Sequence, residues 1–468
     1  MSIPIDWALA GAATILGIGA LVALMVDAFF PRRTWLGSGY PATAATLAAG
    51  VHVIWRRDDI PTYTVALSLV VLVGLLMVLV ASNVMNFETA MPPGEYHFLL
   101  LAAGAGALLM VAARDLVTLV VSLELLSLPS IALVGLRQGD RRAIRSAWTF
   151  FLASVVSTAV TLMGISLLYG VAGSLSYVDL REAIATTDLP EGVVAVAVAL
   201  TLVGLLFKLG AVPFHVWVPD TYLGSPTMVA AFLSTVSKAA SLGALLTLVA
   251  VAFPFAYDTW EPLLAVVAAV TMTIGNLGAL RQTEAVGLLA WSSVAQVGFL
   301  LAPSTALLVS EDGLTAPVQY LAVYALANLV AFGALAVLLR LRGSTRIEDL
   351  RGIVRNDPWM GLPLMFAALT LAGFPPAVAG LVTKYVVIRP VVEADHVWLA
   401  VVMGINVMLG LAYYLRLVVT LCDVPDGEPY HSPSPPVSVR FAKGTVLAGT
   451  AALLVLSAWP ALLLEHLP

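Results

Sequence analysis

Residues 207–241, FKLGAVPFHVWVPDTYLGSPTMVAAFLSTVSKAAS, place two lysines, Lys208 and Lys238, in apolar surroundings, separated by a run in which Gly210, Pro213 and Pro219 interrupt helical hydrogen bonding. A helix broken in this way survives at membrane depth only where protein or a water-filled cavity satisfies the freed backbone groups. A second stretch, LAGFPPAVAGLVTK at 371–384, repeats the pattern and ends on Lys384. The chain has four lysines, so three of them lie where a charge is expensive. At a helix centre in hydrocarbon an ionisable side chain costs roughly 2.5–3.5 kcal/mol, so three unpaired ones would cost on the order of 8–10 kcal/mol. A carboxylate partner, a water-filled path, or both must offset that cost.

The composition agrees with a membrane setting. Of 468 residues, 60% are hydrophobic and 11% charged, against about 25% charged in soluble domains, and the mean hydropathy is +0.98. The net charge of -5 and the lack of any basic run beyond Arg141, Arg142 and Arg145 leave no footprint for nucleic acid. The opening MSIPIDWALAGAATILGIGALVALMVD lacks a basic start, and its apolar run is too long for a cleaved signal, so it reads as a first transmembrane helix. The lone Cys422 excludes an internal disulfide and offers no metal cluster. No Rossmann glycine fingerprint or P-loop follows a predicted strand, so no cofactor or metal is expected on this chain.

Apolar runs long enough to cross a bilayer recur from end to end, and the punctuation predicts an all-α polytopic protein of about 14 transmembrane helices. Their approximate spans are 7–28, 35–54, 62–82, 97–113, 116–136, 147–170, 191–213, 226–251, 262–280, 285–303, 317–340, 359–391, 396–420 and 444–464. The seventh and twelfth hold the two interrupted stretches. Broken helices five apart predict two repeats of inverted topology, helices 4–8 at 97–251 and helices 9–13 at 262–420, as in many secondary transporters. Residues 1–96 form helices 1–3, and 421–468 a loop and helix 14. The plainer alternative is that membrane helices often contain Pro and Gly. Positive residues are retained on the cytoplasmic side. With both termini outside, fifteen arginines and lysines, among them Arg32, Arg33, Arg137, Arg340, Arg416 and Lys443, fall inside and five fall outside.

Glu124, in DLVTLVVSLELLSLPSIALVGL at 115–136, sits near the middle of the fifth span and is the natural counter-charge to a lysine. Burial disfavours the charged form of each group and a neighbouring opposite charge restores it, so a Glu and Lys pair at depth can exchange protons near working pH. The competing reading is a structural ion pair joining helices 5 and 7, with Lys238 and Lys384 snorkelling to the interface. His215, in VPFHVWVPD, is either a proton relay or a partner for backbone freed at the break. The small-residue run AAGAGA at 102–107 reads as helix-packing surface.

The 207–241 stretch resembles subunit N of bacterial complex I, in the antiporter-like membrane subunits of the proton-pumping NADH:quinone oxidoreductase. GEYHFLLLAA at 94–103, DLVTLVVSLELLSLPSIALVGLR at 115–137, LLYGVAGSLSYVDL at 167–180, LAWSSVAQVGFLL at 289–301, LTLAGFPPAVAGLVTKY at 369–385 and YYLRLVV at 413–419 are also similar to it. PFHVWVPDTYLGSP is the most specific element, and Lys384 stands where the related subunit M typically has Glu. The resemblance implies a fourteen-helix fold with a line of protonatable residues halfway across the membrane. On that pattern Glu124 and Lys208 form the coupled pair, Lys238 connects and Lys384 lies on the exit side. It also implies that NADH, FMN, iron–sulfur clusters and quinone belong to partner subunits, and that the neighbours are membrane-arm subunits such as M, K and J in a bacterial inner membrane.

The sequence departs from that pattern at Gln296, where the family usually has His, at Thr149, where Lys is common, and at AVGLLAW (285–291), which lacks the usual basic pair. Gln orients water but does not change charge near pH 7. A titratable link between Lys238 and Lys384 is therefore missing, which suggests a divergent paralogue and leaves rival readings. These are a sodium/proton antiporter subunit, a membrane subunit of a related hydrogenase or non-NADH dehydrogenase, or a structural spacer that has lost pumping.

Overall fold

The computed structural model describes residues 7–30, 36–82, 91–137, 139–310, 312–424 and 437–466. Arg32, Arg33 and the 425–436 part of the expected loop lie outside the described residues. The helices begin with α1 (Trp7–Phe29), α2 (Leu36–Trp55), α3 (Thr62–Ala81), α4 (Pro93–Ala112), α5 (Leu116–Val134), α6 (Arg141–Ala172) and α7 (Tyr177–Thr186). They continue with α8 (Glu191–Leu209), α9 (Trp217–Gly224), α10 (Thr227–Thr247), α11 (Tyr257–Leu280), α12 (Ala285–Leu301) and α13 (Asp312–Arg342). The last are α14 (Ile353–Asn356), α15 (Pro358–Ala372), α16 (Val378–Glu393), α17 (Val397–Cys422), α18 (Val437–Ala458) and α19 (Ala461–His466). Among the described residues extended backbone pairs only at two isolated bridges.

Each expected span falls on a helix, with instructive differences at the ends. Twelve helices are long and apolar enough to cross a membrane. The second expected span, α2, has the length but carries Gly, Ser, Thr and His, and the twelfth is divided into α15 and α16. Helix α6 starts at Arg141, earlier than expected, because the Asp140 carboxylate accepts from the Arg142 and Ala143 amides and caps it. Arg141, Arg142 and Arg145 are therefore in its first turns and not in a loop. α10, α12 and α13 are almost wholly enclosed by the other helices and form the centre of the bundle.

Both breaks are built alike. α8 ends at Gly210 and α15 at Gly373, each with positive φ (81° and 71°). At the first, Gly210 N–H donates to Leu206 O and Phe207 O while Ala211 N–H reaches back to Leu206 O. At the second, Gly373 N–H donates to Leu369 O and Thr370 O, and Phe374 N–H to Leu369 O. This αL termination is natural for glycine, and it stops the seventh helix at Leu209, short of the expected residue 213. A proline follows three residues after each glycine, Pro213 and Pro376, and prevents the helix from resuming at once.

A second duplicated device closes helix ends. Leu116 N–H donates to Leu175 O and Tyr177 N–H to Arg114 O; Ala285 N–H donates to Thr345 O and Ile347 N–H to Thr283 O. In each clasp a glycine with positive φ (Gly173, Gly343) precedes a serine whose hydroxyl donates to an aspartate five residues on, Ser174 to Asp179 and Ser344 to Asp349, both at 2.5 Å. The motif is visible as GSLSYVDL at 173–180 and GSTRIEDL at 343–350. Five crossings separate α5 from α12, an odd number, so the clasps lie at opposite faces of the bundle, as inverted repeats require.

The AAGAGA run does pack helices. A Cβ on Gly106 would lie 2.5 Å from Leu126 N of α5, and one on Gly104 would lie 2.8 Å from Leu75 Cδ2 of α3. Close approach of small residues is how membrane helices gain contact. Gly106→Val is expected to force α4 from α5 and to destabilise by about 1–3 kcal/mol. Gly170→Ala, whose Cβ meets nothing within 4 Å, should be neutral. Heat-induced aggregation in detergent, followed by size exclusion, checks both.

Candidate proton-relay site

The three lysines are enclosed at 0%, 1% and 5% exposure for Lys208, Lys238 and Lys384, so none snorkels to an interface. Two of them share one arrangement. Lys238 Nζ on α10 donates to Leu209 O, the last carbonyl before the Gly210 break, and to Ser293 O, both at 2.8 Å. Lys384 Nζ on α16 donates to Ala372 O, the last carbonyl before the Gly373 break, at 2.6 Å. The final carbonyls of a helix lack intrahelical donors and carry the negative end of its dipole, so a cation there is stabilised without a carboxylate. Lys384 also lies 5.5 Å above the Phe299 ring, and Lys208 lies 5.1 Å above Phe150, where the ring face attracts a cation.

Lys208 sits on the last turn of α8, next to Leu209, and donates to Ser127 Oγ of α5 at 2.9 Å. Glu124, one turn before Ser127 on α5, is half-buried and accepts from Thr158 Oγ1 of α6 at 2.6 Å. Glu124 and Lys208 make no direct ion pair among the described residues, and each is held by a hydroxyl, but their opposite charges still act on each other across α5 and α8. His215 lies in the turn between α8 and α9. Its ring packs 5.7 Å from Trp291, and its Nδ1 is buried without a hydrogen-bond partner among the described residues.

Between Lys238 and Lys384 the chain supplies hydroxyls and an amide. Ser293, whose carbonyl accepts from Lys238, bonds through Oγ to Tyr324 OH at 2.8 Å. One turn along α12, Gln296 accepts from Tyr320 OH and donates through Nε2 to Tyr414 OH at 3.4 Å and to Leu371 O at 3.2 Å. Tyr414 OH also bonds Ser292 Oγ. Leu371 precedes Ala372, the acceptor for Lys384, so the seam runs between the two lysines.

The charge pattern does not reveal Tyr320, Tyr324, Tyr414, Ser292 or Ser293. A signal was available for two of them: Tyr320, Tyr324 and Asn328 recur every fourth residue on α13, a buried polar stripe in an apolar helix.

The chain is similar to known proteins over most of its length. The family model described as NADH:quinone oxidoreductase/Mrp antiporter, TM, matches residues 113–410, which include Glu124 and all three lysines. The chain belongs to this family. Within it, NADH-quinone oxidoreductase subunit N 2 of Streptomyces griseus is 43% identical over 451 residues, 91% of this chain and 84% of that protein. Subunit N of Salinispora tropica is 41% identical over 429 residues, 86% and 82% of the two chains. These likenesses identify the chain as a multi-pass membrane protein of the subunit N type. Among solved structures, a chain of respiratory complex I from Thermus thermophilus matches with TM-score 0.79 at 29% identity over 97% of this chain and 98% of its own. A chain of the Mrp complex from Dietzia shares the fold, with TM-score 0.84 at 22% identity over 98% and 96%.

The Tyr414 hydroxyl serves both Ser292 and Gln296. Tyr414→Phe leaves buried polar atoms short of a partner at about 1–3 kcal/mol. A melting midpoint lowered by a few degrees is expected, whereas Tyr385→Phe, at a side chain 67% exposed on the outer surface, should not move it.

Proposed function

We propose that this chain is the proton-translocating membrane-arm subunit of a complex I type NADH:quinone oxidoreductase. Protons enter from the arginine-rich, cytoplasmic face, reside on Lys208 and Lys238, pass the Gln296 seam to Lys384 and leave on the opposite face. The observation that carries this reading is the placement of Lys238 and Lys384 at the carbonyl ends of two broken helices, with the Ser293–Tyr324 pair beside the first and the Gln296, Tyr320 and Tyr414 cluster on the carbonyl next to the second. A carbonyl end favours the cation without fixing it as a carboxylate would, so a small change nearby shifts the proton.

Glu124 is the input to the series. One pKa unit corresponds to about 1.36 kcal/mol, and moving one charge through 100 mV takes about 2.3 kcal/mol. An approach or withdrawal of Glu124 that changes the energy of the Lys208 cation by about 2–3 kcal/mol is therefore of sufficient size. His215, in the turn between α8 and α9, contributes as a further relay. Electron transfer, with NADH, FMN, iron–sulfur clusters and quinone, resides on partner subunits. The neighbours are other membrane-arm subunits, such as M, K and J, and both termini face outward from a bacterial inner membrane. Residues 97–251 and 262–420 act as the two inverted repeats, after helices 1–3 (1–96) and before the final loop and helix (421–468).

Lys208→Met in the assembled complex is expected to lower quinone-coupled proton translocation in vesicles at least tenfold while leaving assembly intact; full pumping would contradict the proposal. Gln296→His should leave pumping intact or raise it. Acidification driven by a sodium gradient without electron donor would favour the antiporter reading.

A further inference from the structure

A lateral groove separates α3 from the start of α18. Leu76, Met77 and Val80 on one side face Phe441, Gly444 and Ala448 on the other, bordering an open hollow of about 590 Å³. The helices part along α18. A Cβ on Gly444 would meet nothing within 4 Å, whereas one on Gly449, five residues later, would lie 2.8 Å from both Met77 Cε and Val330 Cγ2. The helices touch at Gly449 and part at Gly444. Thr445, which also lines the groove, donates its hydroxyl to Phe441 O at 3.1 Å, so the interior makes no polar demand.

The groove ends at a cation. Arg440, exposed in the first turn of α18, lines it and has no carboxylate partner among the described residues. Lys443, one turn further, is compensated by Asp357 at 2.9 Å. From Arg440 to Ala448 the slot extends about 12 Å along the helix axis, at 1.5 Å per residue.

We propose that this groove binds an anionic phospholipid, an acyl chain lying against Gly444 and Ala448 and the phosphate at Arg440. In a multi-pass protein a lateral groove meets lipid, and basic sites between spans near the positively charged face recognise anionic headgroups. An amphiphile satisfies the apolar walls and the charge together. A helix from a neighbouring subunit would cover the walls but would need its own buried carboxylate opposite Arg440.

Native mass spectrometry of the detergent-solubilised complex, titrated with phosphatidylglycerol or phosphatidylcholine, tests the site. The wild type is expected to retain one phosphatidylglycerol in preference to phosphatidylcholine. Arg440→Gln should reduce that preference roughly fivefold, the scale of one basic residue at an anionic surface, and Gly444→Phe should remove both adducts by filling the slot. Equal retention of the two lipids by the wild type, or adducts unchanged in both variants, overturns the proposal. So does cross-linking of Gly444→Cys to a partner subunit in the intact complex.

Discussion

An ammonium group set against the last carbonyl of a broken helix is the interaction on which the rest of this structure depends. It explains why the chain tolerates Lys238 and Lys384 in its apolar centre, and why each break is made with glycine in a left-handed conformation followed by proline. An unbroken helix would consume those carbonyls internally and leave the lysines without acceptors. The breaks and the lysines are thus one device. Removing either half would leave the other as an uncompensated polar group in a membrane interior.

The same device governs packing. α10, α12 and α13 are enclosed by the other helices, and the lysine and hydroxyl groups they carry face one another at the centre. The outer helices need only present apolar faces to lipid. Small residues set their spacing, as at Gly106 against α5, so Glu124 and Ser127 are held on a helix that cannot drift from its neighbour.

Much of this was legible in the sequence. The spans followed from hydropathy, and Lys208, Lys238, Lys384 and Glu124 stood out because charge is expensive in hydrocarbon. The glycine and proline runs marked both breaks. The partners were not legible. An ammonium bound to a backbone carbonyl leaves no trace in side-chain identity, and the charges alone did not show that Glu124 is held by the Thr158 hydroxyl and Lys208 by the Ser127 hydroxyl. The hydroxyl seam was hidden for a related reason: Tyr and Ser are ordinary in membrane helices, and only their convergence from α12, α13 and α17 around Gln296 gives them meaning. The repeated GSLSYVDL and GSTRIEDL motifs were readable as an internal duplication, and they become inverted clasps only once an odd number of crossings lies between them.

Gln296, at the position where a histidine was expected, sits between two tyrosines and a backbone carbonyl and cannot itself change charge. On the proposed route, transfer past it is carried by water held among hydroxyls. An experimental structure of the assembled complex that resolves ordered solvent tests this most directly. The account predicts waters bridging Tyr324, Gln296 and Tyr414 toward Lys384; a dry, close-packed seam between Lys238 and Lys384 would contradict it.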